Sequence, residues 1–337
     1  MTNPKRRFLL LLGLGLMILL TFICIIASLS LGAKMLPLST IWHHYWLGDS
    51  GSYSDLVINA RKPRTLIGIM AGAALALSGA VTQGLLRNPL AEPGLLGVNA
   101  GAAAVVVSFS FIPILNELPR FWTAFIGASL ATLLFYLLSG GQRNNNPARM
   151  VLTGAAINAC LFAFVQGFVL MNAHVLDSYR FWTIGSLSAM SLAEASSLIP
   201  YLLFALILTL SLSSSLNVMV FGESIASSLG ANVARTRVLS LITATMLAAV
   251  ATAMAGPIAF IGLAAPHLMR ALVGSDFRWL LPYCLFAGPC LLLISDILAR
   301  LVIAPGEIMV GIITAGIGGP LLYLVIKTYR GVNYVAD

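Results

Sequence analysis

The sequence predicts an all-α integral membrane protein with about ten transmembrane helices. Composition is the first reason. Of 337 residues, 59% are hydrophobic and 9% are charged, and the mean hydropathy is +0.96; water-soluble domains carry roughly 25% charged residues. Run length is the second. The apolar stretches repeatedly approach the roughly 20 residues that cross a hydrocarbon core as a helix, and the polar interruptions are short. No separate soluble domain fits, so residues 1–337 read as a single transmembrane domain. Charge placement is the third. The net charge is +8, yet the basic residues stand singly or in small groups at the ends of apolar runs. That pattern orients helices in lipid and does not suggest nucleic acid as a partner.

Lys5-Arg6-Arg7 precedes an apolar run from Phe8 to about Leu31. A basic start with an apolar run can be a cleaved signal peptide, but this run exceeds a typical h-region, so a retained first span with a cytoplasmic N-terminus is preferred. Gly32 to Asn59 is polar and aromatic and falls outside. Arg61-Lys62-Pro63-Arg64 opens the second span, to about Leu86. Pro89 and Pro93 then end the helix and reset its direction on the cytoplasmic side. The third span runs to about Ile112 and the fourth from about Trp122 to Ser139, before a cytoplasmic loop from Gln142 to Arg149. The fifth span, Met150 to Met171, carries Asn158 and Gln166.

Asn172 to Arg180 is placed outside, and Phe181 to Leu187 reads as a short interfacial helix with Trp182 at headgroup level. The sixth span covers about Ala195 to Ser213. A polar island follows, residues 216–237, LNVMVFGESIASSLGANVARTR. Val218, Phe221, Ile225 and Leu229 recur at steps of 3, 4 and 4, the spacing of one helix face. Glu223, Ser224, Ser227 and Ser228 take the other face, and Gly222 and Gly230 offer turns. One or two short amphipathic helices at a membrane surface are expected, either resting on headgroups or docking a cytoplasmic partner. The seventh span is about Leu239 to Ile258; the proline-punctuated stretch after it suits a short eighth helix to about Val273. The ninth span ends outside near Asp296 to Ile303, and the tenth covers about Ile308 to Ile326, leaving the C-terminus cytoplasmic. Two groups of five spans would then run in opposite directions, as in inverted-repeat transporters.

Most basic residues fall inside in this topology, but Lys34, Arg61, Lys62, Arg64, Arg120, Arg180 and Arg300 fall outside, against the bias. The cysteines (Cys24, Cys160, Cys284, Cys290) and histidines show no metal-type spacing, so no metal site is expected. No GxxxxGK[ST] loop occurs, so the chain itself should not hydrolyse ATP. An ion-coupled carrier usually needs buried acidic residues, whereas Glu92, Glu223, Asp276, Glu194, Asp296 and Glu307 sit in breaks or near span ends. No HExxH, GxSxG or paired intramembrane carboxylates support an embedded enzyme, and no catalytic residue is assigned.

RKPR before the second span, QGLLRNPLAEPGLLGVNAGA after it, RFWTIGSL, FGESIASSLG and GPIAFIGLAAPHLMR together resemble the FecCD family, over about Leu31 to Lys327. These are permease subunits of ABC importers for iron–siderophore, haem and cobalamin. Gly32-Ala33-Lys34, Val98-Asn99-Ala100-Gly101, Arg180-Phe181-Trp182, Val233 to Thr236 and Pro305-Gly306-Glu307 look most like its ferric-enterobactin (catecholate siderophore) permeases. The resemblance implies a type II ABC importer (cobalamin-permease-like) fold in the bacterial inner membrane. It also implies a second permease subunit, identical or paralogous, two cytoplasmic ATPases that use ATP and Mg, and a periplasmic siderophore-binding protein. No cofactor is expected on this chain. Phe221, Gly222, Glu223, Ala226, Leu229 and Gly230 match the family's ATPase-coupling segment. Arg61, Arg64 and Arg300 match arginines that pair with carboxylates on the binding protein, although Arg300, four residues after Asp296, could pair along its own helix and Arg61 and Arg64 could contact headgroups. Arg180 is a further contact outside that set. Gly154, Asn158, Gly316 and Gly318 are expected along the translocation path, whose weakly polar lining suits release of a large chelate and does not distinguish siderophore from haem or cobalamin.

Overall fold

The computed structural model describes residues 4–48, 51–112, 118–140, 147–188 and 190–333. Its elements in chain order are α1 (Pro4–Ser30), α2 (Leu38–Leu47), α3 (Tyr53–Leu86), a 3-10 turn (Pro93–Leu96), α4 (Val98–Ser110), α5 (Arg120–Leu138), α6 (Pro147–Met171), α7 (Ala173–Ile184), α8 (Leu192–Ser197), α9 (Ile199–Ser211), α10 (Ser213–Met219), α11 (Glu223–Ser228), α12 (Val233–Ala255), α13 (Ile261–Val273), α14 (Phe277–Leu301) and α15 (Val310–Asn333). Among the described residues, seven helical stretches are long and apolar enough to cross a membrane, and three shorter apolar helices, Val98–Ser110, Ile261–Val273 and Val310–Tyr323, complete the expected ten.

The helices differ sharply in how much protein covers them. The span window of α3 is 89% buried, that of α12 78% and that of α14 67%, whereas α1 is 17% and α6 22% buried. An apolar helix with so little protein around it must face lipid or another subunit. The central helices α3 and α12 are rich in small residues, and glycines let α3 touch its neighbours. A Cβ on Gly72 would stand 2.7 Å from the Gly288 carbonyl carbon, so α3 and α14 cross there without side chains between them. Gly101 and Gly127 bring α4 and α5 together in the same way, and Gly79 meets Gly262 across α3 and α13. Close approach through small residues is how helices gain packing where lipid supplies no hydrophobic drive.

One succession of elements occurs twice. A long buried helix (α3, then α12) is followed by a break in the α-helical chain, with a 3-10 turn in the first copy, and a 13-residue helix (α4, then α13), then two more spans. Each short helix is preceded by a left-handed residue, Gly97 at φ 81° and Phe260 at φ 70°. The two long helices run in opposite directions: Arg87, the C-cap of α3, lies beside Gly222, whose neighbour Glu223 pairs with Arg237 near the start of α12, and midway along α12 Ala244 O accepts from Ser78 Oγ of α3 at 2.6 Å. Inverted halves follow from this order.

Several boundaries differ from the sequence expectation. Residues 38–47 and 53–60, expected within a polar outer segment, are helical as α2 and the first turns of α3. The start of α3 is set by a capping box, Ser52 with Asp55, which satisfies two orphan backbone donors. Pro63, read as the mouth of the span, lies inside the helix. The interfacial helix begins at Ala173 rather than Phe181 and ends at Ile184, so residues 173–180 are helical. The sixth span is divided at Leu198 into α8 and α9. The amphipathic island splits into α10 and α11, and α12 already begins at Val233, which carries Arg235 and Arg237 into a helix. Residues 142–146 of the expected cytoplasmic loop lie outside the described residues.

Candidate functional site

The candidate residues gather at the two ends of the bundle. At one end, α1 finishes beside α3 and α14, and the last carbonyls of α1 lack intrahelical partners. Two arginines supply them. Arg61 Nη1 donates to Leu29 O at 2.8 Å and Ser30 O at 3.0 Å, and its Nη2 donates to Lys34 O at 2.6 Å. Arg300 Nη1 donates to Ser28 O at 3.0 Å and Leu31 O at 2.9 Å. Positive charge at a helix C-terminus also offsets the negative end of the helix dipole. Gly32 is what lets both guanidiniums in: a Cβ there would meet Arg61 Nη2 at 2.6 Å and Arg300 Nη1 at 3.4 Å.

Two carboxylates balance this cationic cluster. Asp296 is fully buried; its Oδ1 accepts from Arg64 Nε at 2.7 Å and its Oδ2 lies 3.0 Å from Arg300 Nη2. Arg64 Nη1 donates to Glu307 Oε2 at 2.6 Å, and the Glu307 side chain is 47% exposed. All three candidate docking arginines are therefore buried and held internally, with Arg300 paired along its own helix. Among the described side chains, Arg180 and Lys34 are exposed cations of this end. Alongside, His44 Nδ1 lies 2.6 Å from Asp55 Oδ1, and Lys62 Nζ lies 2.7 Å from His44 Nε2, joining α2 to α3.

At the opposite end, α11 presents its side chains in an unusual sense. Ala226 is buried, while Phe221, Ile225 and Leu229 are exposed, Phe221 at 67%. The apolar face thus points away from the bundle. Gly222 (φ 99°) and Gly230 (φ 80°) occupy the positive-φ positions that turn the chain on either side. Glu223 forms an ion pair with buried Arg237 of α12. Asn217 of α10 donates through Nδ2 to Asp276 Oδ1 at 2.6 Å and accepts from the Phe277 backbone N–H at 2.8 Å. The segment is therefore fixed to the starts of both α12 and α14. Arg237, Asn217 and Asp276 were given no part in the coupling segment from sequence. Their polarity inside the island and the following break was the available signal; their partners lie 14 to 60 residues away in the chain.

The four expected path residues do not form one surface. Gly154 is buried against the carbonyl of Leu95, and Asn158 Nδ2 donates to Gly94 O at 2.9 Å, so both pin α6 to the 3-10 turn. Gly318 packs on Phe260, while Gly316 is exposed with open space beside it.

Comparison with known proteins gives a consistent result. The model of the FecCD transport family matches residues 19–328. The chain is 43% identical over 318 residues to the ferric enterobactin transport system permease protein FepD of Escherichia coli (strain K12), covering 94% of this chain and 95% of that one. It is 38% identical over 327 residues to the hemin transport system permease protein HmuU of Yersinia pestis, covering 94% and 96% respectively. Among solved structures, a metal-chelate type ABC transporter in an inward-facing conformation superposes with a TM-score of 0.79 at 28% identity, covering 93% of this chain and 98% of that one.

Proposed function

This chain belongs to the FecCD transport family, and from that premise we propose that it is the permease subunit of an ATP-driven importer carrying an iron(III)–siderophore of the catecholate class across the bacterial inner membrane. The observation that carries the ligand class is the higher identity to the ferric enterobactin permease than to the hemin permease. The chain provides the passage and no chemistry of its own; two ATPase subunits use ATP and Mg, and a second permease subunit completes the pathway. The Phe221–Gly230 face is the ATPase docking element, because its exposed apolar side chains stand on a segment fixed to two spanning helices. The binding protein docks at the arginine end, where Arg61, Arg64 and Arg300 form the rigid cationic floor and Arg180 and Lys34 the exposed contacts. Gly316 and the neighbouring exposed face of α15 line the path with α6. Both termini face the cytoplasm, since the α1 start and the coupling segment share one end of the bundle with Arg87, Arg235, Arg270 and Arg278.

The test is uptake by proteoliposomes holding the chain with its second permease, ATPase and binding protein. Uptake of radiolabelled ferric enterobactin that requires ATP and resists an uncoupler is expected. Uptake of hemin or cobalamin in preference would move the ligand elsewhere in the family. Uptake abolished by the uncoupler at constant ATP would overturn the ATP-driven reading.

A further inference from the structure

The helix α2 is absorbed neither by docking nor by coupling, and its two faces are chemically opposite. Ile41 and His44 are buried: Ile41 packs with Leu29 of α1 and Ile58 of α3, and His44 bridges Asp55 and Lys62. Leu38, Trp42 and Trp46 recur at steps of four on the other face and are exposed, Trp46 at 72%. Met35, Tyr53 and Leu56, in the segments flanking the helix, are exposed as well. Soluble proteins rarely leave an aromatic surface of this kind bare.

Depth says what covers it. The hydrocarbon core is ~30 Å thick and takes about 20 helical residues. The α1 helix begins with Lys5-Arg6-Arg7 at one boundary. Counting about 20 residues onward places Leu29 and Ser30 at the other, and that is the turn of α1 on which α2 packs. Continuity points the same way. The α1 helix is the least buried span, with Leu16, Leu19, Phe22 and Ile23 exposed along it, so the α2 face extends a lipid-facing surface. Among the described residues, α2 packs in a cluster formed with α1 and α3. At its edge Lys34, exposed, sits 4.0 Å above the Tyr53 ring, a cation at the level where lipid phosphates lie. Tryptophan and tyrosine concentrate at that boundary because the ring is apolar and its N–H or O–H polar.

We propose that α2 is an interfacial anchor lying in the phospholipid boundary at the arginine end, with the Leu38–Trp42–Trp46 face in the upper acyl chains and the His44–Asp55–Lys62 chain clamping it to α3. The anchor fixes the depth of the α1 C-terminus and hence of the arginine cluster that caps it. This requires only that the bundle spans a membrane, and it stands whichever chelate is carried.

The test uses the full chain, assembled with its partner subunits, in phosphatidylcholine vesicles brominated either near the headgroup end or near the tail end of the acyl chains. The signal is the fluorescence difference between the wild type and the Trp42→Phe/Trp46→Phe variant, in which the remaining tryptophans, half-buried Trp182 and Trp279 among them, cancel. Strong quenching of that difference by the shallow bromolipid, weaker quenching by the deep one and shielding from aqueous acrylamide are expected. The single substitutions Trp42→Phe and Trp46→Phe report each ring separately if the double variant inserts poorly. A difference signal reached by acrylamide and not by bromolipid places the face in water and overturns the proposal. A signal reached by neither quencher places it under another protein and overturns it equally.

Discussion

Asp296 is the residue on which the arginine end turns. It is the fully buried partner of two guanidiniums, Arg64 and Arg300, and one of those also caps α1. Removing one member of a buried ion pair leaves the other charged and unsatisfied, at a cost of about 3–5 kcal/mol. Asp296→Ala should therefore lower unfolding stability in detergent by that order, whereas Glu307→Gln, at a half-exposed partner, should cost no more than about 1 kcal/mol. Equal losses in chemical unfolding would show that the two carboxylates are interchangeable. The same contrast bears on testing the docking reading. Charge reversal at Arg61 or Arg64 would strip the α1 carbonyls or Asp296 of their partners, so it tests folding before it tests docking. Reversal of exposed Arg180 isolates the partner. The Asp296–Arg300 pair was legible in the sequence as an i, i+4 spacing. Capping of α1 by Arg61 was not, because it depends on a helix end 31 to 32 residues earlier arriving at the same place.

At the scale of elements, α11 shows how a correct pattern can be right about residues and silent about direction. The steps of 3 and 4 placed Phe221, Ile225 and Leu229 together, and the structure keeps these three exposed on one outward surface. Val218, assigned to the same face, belongs to α10 and is only partly exposed, and Phe221 itself stands just before the Gly222 turn. Periodicity could not say that the apolar side faces outward, since that depends on Ala226 and the Glu223–Arg237 pair holding the opposite side to the bundle. Because Phe221 and Leu229 rest on little of their own chain, Phe221→Ala with Leu229→Ala should change stability by no more than about 0.5 kcal/mol. An aromatic anchor at an interface is commonly worth about 2 kcal/mol, roughly a 30-fold change in affinity. Pull-down of the ATPase by the detergent-solubilised variant should fall by that order with the fold intact. Undiminished ATPase binding would return α11 to a surface resting on headgroups.

For the whole molecule, the number and order of the spans were readable from run length, and the short α13 from the proline-punctuated stretch that leads into it, whereas α4, expected as a third full span, is only 13 residues long. The central position of α3 was not readable, because burial on all sides comes from glycine contacts such as Gly72 with Gly288, whose partners sequence does not name. That contact has a mechanical consequence. At 1.5 Å per residue, the 25-residue α14 is about 37 Å long. It runs from Asp276, bonded to Asn217 beside the coupling segment, to Asp296 and Arg300 in the arginine cluster. Pressed against α3, it is a continuous link between the end proposed to meet the ATPase and the end proposed to meet the binding protein. Coupling between distant sites requires a physical element that both ends bias, and Asn217 is the hydrogen-bonded joint between α10 and the start of α14. Asn217→Ala removes both hydrogen bonds without touching the exposed Phe221–Leu229 face. In proteoliposomes the ATPase should still bind the variant, while stimulation of ATP hydrolysis by the ligand-loaded binding protein and uptake of ferric enterobactin should fall together. Full stimulation with full uptake would mean that the push travels through α12, along the Glu223–Arg237 pair, and not through α14.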